Sequence, residues 1–209
     1  TQLNPRATFA AMVYRLDVYV GQLVQKLKDK GIYDNTIIIF ASDNGPHREG
    51  GADPDFFNSN GIWRGYKRDL YEGGIRVPMI ISWPGHIQAG TETNFMCSFW
   101  DLMPTFEELL NPKAAVKEMD GVSMLPLLEN RKGQKEHEYL YFEFQELNGR
   151  QAVRKGSWKL VHMNIRGEKP YYELYNLAAD PSEKYNLLNK YPEKAEELKA
   201  IMLEAHTDD

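Results

Sequence analysis

The sequence has little cysteine and no long hydrophobic run. Its 209 residues include one cysteine, Cys97, which excludes an intrachain disulfide framework and a cysteine-based zinc cluster. The longest aliphatic stretch, residues 37–40, is far shorter than the roughly 20 residues that a membrane-spanning helix needs. Basic residues do not dominate either, since 25 Lys and Arg stand against 30 Asp and Glu. We therefore expect no membrane span and no nucleic-acid partner.

The first half of the sequence has the pattern of an α/β protein. Apolar side chains recur every three or four residues between Phe9 and Leu27, which predicts a long amphipathic helix. Residues 36–41 then form a short apolar, β-branched run, which predicts a strand buried on both faces. A second such strand is predicted at residues 77–83, and a short helix at residues 102–110. A helix followed directly by a buried strand is typical of a parallel α/β sheet.

The pattern changes after residue 133. Short alternating runs are separated by turn signals such as Asn148-Gly149, which predicts an antiparallel sheet. Its four strands are expected at residues 139–144, 151–154, 158–162 and 171–175. Pro192 then begins a last helix. We therefore divide the chain into residues 1–133, part of an α/β domain, and residues 134–209, a C-terminal α+β subdomain.

Asp43 and Asn44 directly follow the strand predicted at residues 36–41. Ligands of open α/β sheets bind beyond the carboxyl ends of the strands. A carboxylate and an amide oxygen both suit a hard cation such as Ca²⁺ or Mg²⁺, but two ligands do not complete a shell of roughly six to eight oxygens. The alternative is a plain turn whose side chains bond their own backbone. Asp53 and Asp55 are interpreted as a solvated turn, because they fail the EF-hand pattern.

Lys67 lies in a segment rich in glycine and positive charge. Three arginines are close to it in sequence: Arg64, Arg68 and Arg76. Cations beside glycines that allow close backbone approach suit a tetrahedral oxyanion. The competing interpretation is a solvated basic loop. His47 and Arg48 follow the strand end and are candidates for the same crevice, although a single loop histidine is more often merely exposed.

Several motifs resemble those of the type I, formylglycine-dependent sulfatases, which are arylsulfatase-like members of the alkaline phosphatase superfamily. They stand in family order at residues 34–45 (DNTIIIFASDNG), 65–78 (GYKRDLYEGGIRVP), 83–85 (WPG), 101–105 (DLMPT), 120–123 (DGVS), 173–177 (ELYNL) and 180–181 (DP). Any one of these motifs is weak, whereas five or more in order are specific. The resemblance covers nearly the whole chain.

The resemblance implies the C-terminal part of an alkaline-phosphatase-like α/β fold, followed by a small antiparallel sheet and a helix. It implies a formylglycine nucleophile made from Cys or Ser, and a Ca²⁺ or Mg²⁺ held by three Asp and one Asn. By motif match, Asp43 and Asn44 are two of the metal ligands, and Lys67 is the catalytic lysine that binds the sulfate oxygens. His47 and Arg48 are assigned to substrate binding. Three further family positions are interpreted as scaffold: Asp17, Glu72 and Arg76.

One part of the family pattern is missing. The Cys/Ser-x-Pro-x-Arg activation motif is absent, and the apolar surroundings of Cys97 predict a buried, inert thiol instead. We therefore expect the C-terminal portion of a sulfatase, partnered by the N-terminal remainder of its chain and inactive alone. The first helix and the strand at residues 36–41 should then expose apolar surface. The resemblance also implies a periplasmic or secreted protein.

Three functions follow from these patterns. The first is part of a sulfatase that hydrolyses sulfate esters of a small molecule or, as we expect, of a glycan. The second is a phosphatase or phosphodiesterase of the same superfamily, which generally holds zinc or manganese with more histidines than stand beside Asp43 and Asn44. The third is a non-catalytic pseudoenzyme module, although Asp43, Asn44 and Lys67 are all present.

Overall fold

The computed structural model describes residues 4–110 and 119–207. Its helices and strands, in chain order, are α1 (Pro5–Asp29), β1 (Ile38–Ala41), α2 (Pro54–Phe57), α3 (Glu72–Ile75), β2 (Met79–Ser82), α4 (Leu102–Leu110), α5 (Leu125–Leu128), β3 (Leu140–Phe144), β4 (Arg150–Lys155), β5 (Trp158–Met163), β6 (Tyr171–Asn176) and α6 (Pro192–Ala205). Two short 3-10 helices, Tyr33–Asn35 and Phe99–Asp101, precede β1 and α4. The helices and strands predicted from the sequence are all present.

The chain forms two compact units. One combines the chain up to Asp17 with Ala41–Met79 and the part from Tyr139 onward, and the other combines Val18–Phe40 with Ile80–Glu138. The sequence-based boundary after residue 133 stays a prediction.

The antiparallel sheet predicted from the sequence is confirmed, with the strand order β3-β4-β5-β6. Because side chains alternate along a strand, β4 and β5 bury residues on both faces. Val153 lies opposite Leu160 on one face, and Ala152 lies opposite Val161 on the other. All four of these side chains have no exposed surface. The sheet is therefore the centre of its unit and is covered from both sides.

Two different segments cover the two faces of this sheet. On the face of Leu160, the cover is α6, whose Ala195, Leu198 and Met202 are buried against the strands. On the face of Val161, the cover is the segment before α3, with Leu70 and Tyr71. The motif segment at residues 65–78 is thereby packed on the sheet rather than left as an open loop.

Helix α1 has the predicted amphipathic pattern but buries none of its residues. Met12 is 66% exposed and Leu23 is 67% exposed. The helix begins at Pro5, and Gly31 follows its end with a left-handed φ of +67°, as C-terminal helix signals require. The expected exposure of apolar surface on this helix is confirmed.

Strands β1 and β2 pair in a two-stranded sheet. The pattern-based expectation that both strands are buried on both faces is wrong for the described residues, since Phe40 is 40% exposed and Ile80 is 65% exposed. The exposed apolar surface expected of the strand at residues 36–41 in a partial chain is confirmed. An apolar strand is buried on both faces only when a layer covers each face. The described residues do not supply both layers.

In the second unit, hydrogen bonds connect the motif at residues 101–105 to the segment that contains the motif at residues 120–123. The buried carboxylate of Asp101 accepts hydrogen bonds from the backbone N–H groups of Ser98 (2.8 Å) and Val122 (2.9 Å) and contacts His137 Nε2 at 2.8 Å. Thr105 Oγ1 accepts from the Met124 N–H at 2.9 Å. Cys97 is half-buried rather than fully buried as predicted. Burial, followed by the charge of Asp101, still raises the pKa of its thiol, as expected for an unreactive cysteine. None of the helices that the structure describes has the length and apolar character of a membrane span.

Candidate functional site

The turn after β1 carries Asp43 and Asn44 and is shaped by its own side chains. Ser42 Oγ donates to the carbonyl of Asn44 at 2.8 Å. Asn44 Nδ2 donates to the carbonyl of Gly45 at 2.9 Å, which leaves Oδ1 as the atom of this amide that suits a cation. The hydrogen bonds expected of a plain turn are thus present, and they orient the amide without using its oxygen.

The turn is pressed against α3. The Gly45 N–H donates to the carbonyl of Gly74 at 2.9 Å. A Cβ atom added at Gly45 would lie 1.8 Å from the Gly73 carbonyl oxygen, so only glycine fits there. Gly73 and Gly74 are themselves buried. The position of Asp43 and Asn44 therefore depends on α3.

A cavity of about 570 Å³ opens at this turn. It brings together Asp43, Asn44 and His47 with Arg76. The remaining polar and aromatic lining includes Ser42, Asp53, Ser59, Asn60, Trp63 and Phe9. Lys67 and Arg48 are not among the lining residues, so three of the five predicted site residues share the cavity.

Lys67 is tied to the turn by its backbone rather than by its side chain. Its N–H donates to the carbonyl of Pro46 at 2.8 Å. Its ammonium lies 3.9 Å from Glu49 Oε2, while Arg68 contacts the other carboxylate oxygen at 2.5 Å. Arg68 first, and then Lys67, lower the pKa of Glu49. Since the Lys67 side chain is 35% exposed, this long ion pair holds it only weakly.

His47 and Arg48 have different surroundings. His47 Nδ1 accepts from the backbone N–H of Glu49 at 3.1 Å, which leaves Nε2 for a ligand in the cavity. The Arg48 guanidinium pairs with Asp55 at 2.7 Å and stacks over the Tyr66 ring at 4.0 Å. The Arg48 guanidinium can therefore contact a sugar only after it breaks its ion pair with Asp55 and its stacking on Tyr66.

Asp53 and Arg64 are held by hydrogen bonds to other parts of the chain. Asp53 caps α2 by accepting from the Phe56 N–H at 3.0 Å. This hydrogen bond, followed by the one from Arg6, lowers the pKa of Asp53. Arg64 donates to the hydroxyls of Tyr175 (2.8 Å) and Tyr71 (3.0 Å). The side chains of both residues thus have partners in the fold. The solvated turn predicted at Asp53 and Asp55 is instead the start of α2.

Sequence reasoning missed Asn60 and Trp63 as residues of the cavity. Asn60 Nδ2 donates to the carbonyls of Trp63 (2.7 Å) and Gly65 (3.2 Å). The Arg76 guanidinium lies over the Trp63 ring, 4.1 Å from its centre. The only sequence signal was the presence of aromatic residues in a long segment without a helix or strand period.

The donor atoms of the turn after β1 are one carboxylate, on Asp43, and one amide oxygen, on Asn44. The described residues contain no group of three or more His, Cys, Asp or Glu side chains placed to hold a metal ion. One carboxylate and one amide oxygen in sequence fit a hard cation as part of its shell.

Comparison with protein families gives two matches that together span the chain. Residues 1–112 match the sulfatase family model. Residues 61–208 match the model for the C-terminal region of N-sulphoglucosamine sulphohydrolase. The chain is also similar to human arylsulfatase A, with 32% identity over 95% of this chain and 43% of the relative. It spans about two fifths of the length of the first curated relatives that it matches.

Two solved structures are similar in fold and sequence. Ps i-CgsB in complex with k-i-k-neocarrahexaose matches with a TM-score of 0.80 and 33% identity, over 97% of this chain and 43% of that one. BT4656 in complex with its substrate D-glucosamine-2-N,6-O-disulfate matches with a TM-score of 0.73 and 27% identity, over 92% of this chain and 38% of that one.

Proposed function

Because this chain belongs to the sulfatase family, we propose that it is the C-terminal portion of an enzyme that hydrolyses sulfate esters of carbohydrates. The observation that carries the proposal is the place of Asp43 and Asn44, which follow β1 and line the cavity at its end. The sulfated sugar named as the substrate of BT4656 supports a sulfated glycan as the substrate class.

Asp43 and Asn44 would supply two oxygen ligands to Ca²⁺ or Mg²⁺. The hydrogen bond from Asn44 Nδ2 to the Gly45 carbonyl (2.9 Å) orients the amide for this role. When bound, such a cation withdraws charge from the sulfate oxygens and fixes their orientation. The remaining ligands belong to the N-terminal remainder of the enzyme.

Lys67 would bind the oxygens of the sulfate group. Its backbone N–H holds it beside the turn, and its ammonium contacts Glu49 at 3.9 Å. Solvent screens an ion pair with an exposed carboxylate such as Glu49, so releasing the ammonium toward a sulfate costs little. A cation aimed at oxygens that gain charge during the reaction lowers its barrier.

His47 and Arg48 would contact the sugar. His47 lines the cavity, and its Nδ1 already accepts a backbone hydrogen bond, so Nε2 is the donor for a sugar hydroxyl. Arg48 must exchange Asp55 for the substrate. We therefore assign the larger share of sugar recognition to His47.

The first test compares the activity of the 209-residue chain with that of the proposed longer protein. We expect no turnover of an aryl sulfate by the 209-residue chain, because the formylglycine segment is absent, and measurable turnover by the longer protein. Turnover by the chain alone would overturn the missing-nucleophile argument. Hydrolysis of an aryl phosphate in preference to the sulfate would favour the phosphatase alternative, and inactivity of the longer protein toward both would favour the pseudoenzyme.

The second test removes the lysine from the longer protein. Lys67→Ala should lower kcat/KM by roughly 10²- to 10³-fold, the cost of losing one group that stabilises charge in the transition state. Lys132→Ala is the matched control, because Lys132 is an exposed lysine remote in sequence from the site motifs. Equal rates for both variants would remove Lys67 from the site.

The third test concerns the cation. Loss of an outer-shell partner costs roughly 10- to 100-fold in metal affinity, and Asp43→Asn should weaken Ca²⁺ or Mg²⁺ binding by at least as much. Titration of the chelator-treated longer protein with each ion measures this affinity and identifies the preferred metal. Unchanged affinity in the variant would exclude Asp43 as a ligand.

A further inference from the structure

Three fully buried charged residues meet between β5, α3 and the segment that follows β6. The Lys159 ammonium lies 3.0 Å from Glu72 Oε1 and 2.9 Å from Glu183 Oε1. The exposed fractions of the three side chains are 0% for Lys159, 1% for Glu72 and 0% for Glu183. Arg154 and Arg76 reach Glu72 from the partly exposed side, at 3.4 and 3.5 Å.

Burying three charged side chains carries a large desolvation penalty. Apolar residues of similar volume often stabilise a protein as well as a buried ion pair does, whereas removing one partner leaves an uncompensated charge. Burial raises the pKa of Glu72, but the charges of Lys159 and the two arginines outweigh it and hold that pKa below its usual range. Glu72 is thus kept ionised next to Lys159, and the attraction between the two opposite charges holds α3 against β5.

Glu183 determines where α3 begins. Its Oε2 accepts the backbone N–H of Glu72, the first residue of α3, at 2.7 Å. Glu183 is itself held firmly, since its carbonyl accepts from Arg64 at 2.9 Å. The backbone of Glu183 has a φ of +51°, in the left-handed region. Residues other than glycine seldom adopt this conformation, and the surrounding contacts hold Glu183 in it.

Helix α3 in turn locates the site. The Gly74 carbonyl accepts from the Gly45 N–H, and Gly45 has no room for a Cβ against Gly73. The Pro46 carbonyl then accepts from the Lys67 N–H at 2.8 Å. A shift of α3 therefore moves the turn of Asp43 and Asn44 and the segment of Lys67 together.

We propose that Lys159 and Glu183 are positioning residues that hold the turn of Asp43 and Asn44 in place through α3. The inference rests on the proposed function in treating this turn as part of a sulfatase site. Neither residue lines the cavity. Their effect on the reaction is therefore indirect and is exerted through the position of α3.

Hydrogen exchange of single amides in the 209-residue chain tests the proposal without any assay of activity. In Lys159→Met, the Gly45 amide should exchange about tenfold faster relative to amides of the β4–β5 ladder. The reason is that the turn at Gly45 can then open locally while the sheet stays folded. Leu198→Ala is the matched control. Leu198 is as buried as Lys159 but packs on the opposite face of the sheet. This variant should therefore raise the exchange rates of the Gly45 amide and of the ladder amides by the same factor.

A Gly45 amide in folded Lys159→Met that loses no more protection than the ladder would overturn the proposal. If Lys159→Met does not fold, Glu183→Gln decides in its place, because the amide keeps the shape and one acceptor while the carboxylate charge is lost. The same selective loss of Gly45 protection is expected, and its absence is again the contrary result.

Activity of the longer protein gives a second, separable readout. Lys159→Met should lower kcat for an aryl sulfate and weaken binding of the cation, whereas Leu198→Ala should lower only thermal stability. If the wild-type longer protein lacks sulfatase activity, the proposed function fails, but the exchange experiment still decides whether Lys159 positions the turn.

Discussion

The C-terminal sheet and α1 both carry apolar residues in regular patterns, but only the sheet covers them. Leu160 in β5 has no exposed surface, whereas Leu23 in α1 is 67% exposed. The sheet has α6 on one face and the segment of Leu70 and Tyr71 on the other. An amphipathic pattern therefore marks a face that needs a cover, without showing that the cover lies in the same stretch of sequence.

The largest expected effect compares the same substitution in both regions. Leu160→Ala should lower the free energy of unfolding by about 2–5 kcal/mol, because it leaves a cavity in a closed core. Leu23→Ala should change it by less than about 0.5 kcal/mol, as is usual for surface positions. Urea unfolding of both variants of the 209-residue chain measures the difference. A loss at Leu23 as large as that at Leu160 would mean that α1 is covered in solution.

A second pair of substitutions compares two glycines. Gly45→Ala should destabilise the chain by about 1–3 kcal/mol or more, since overpacking forces the backbone to move and the new Cβ would lie 1.8 Å from the Gly73 oxygen. Apart from the neighbouring backbone of α1, no atom in the described part of the chain lies within 4 Å of a Cβ added at Gly21. Gly21→Ala should therefore stabilise the helix by about 0.5–1 kcal/mol. Thermal unfolding measures both effects, and opposite signs are the expected result.

The smallest expected effect concerns a carboxylate in the sheet. Burial raises the pKa of Glu143, but hydrogen bonds from Tyr141 (2.5 Å) and His206 (2.9 Å) outweigh it and hold that pKa below its usual range. A carboxyl whose pKa is lower in the folded state stabilises the fold above its unfolded pKa and loses this contribution as the pH falls through the folded pKa. Glu143→Gln should therefore lower stability at pH 7 and reduce its loss in acid.

Urea midpoints between pH 7 and pH 3 measure this pH dependence. Glu168→Gln is the control, because it removes the charge of an exposed carboxyl between β5 and β6. If Glu143→Gln keeps the full acid sensitivity of the wild-type chain, the hydrogen bonds to Glu143 contribute nothing to stability.

The elements of the fold were largely predictable, since their signals are local. The strand expected at residues 158–162 is found at Trp158–Met163, and the helix expected to begin at Pro192 does so. Helix α3 was not predicted, because Glu72–Ile75 is too short for an apolar period and contains two glycines. Its buried glycines show that tertiary packing forms it.

The candidate site was predictable only in part. The motif match selected Asp43 and Asn44, and the position just after the strand made His47 a candidate; the structure places all three in one cavity. It does not bring Lys67 or Arg48 into that cavity, and it reveals Asn60 and Trp63 there. Side-chain direction in a segment without regular structure depends on its partners, such as Glu49 for Lys67 and Asp55 for Arg48.

The sequence by itself determined the order of the strands and of the three longer helices, the family and the turn that follows β1, because each depends on neighbouring residues or on short motifs. Only the tertiary structure decided which apolar residues are covered and which charged residues meet. Lys159 and Glu72 are 87 positions apart, and Glu72 and Glu183 are 111 apart. Contacts over such distances depend on how the sheet, α3 and their covering segments pack together, which no local pattern contains.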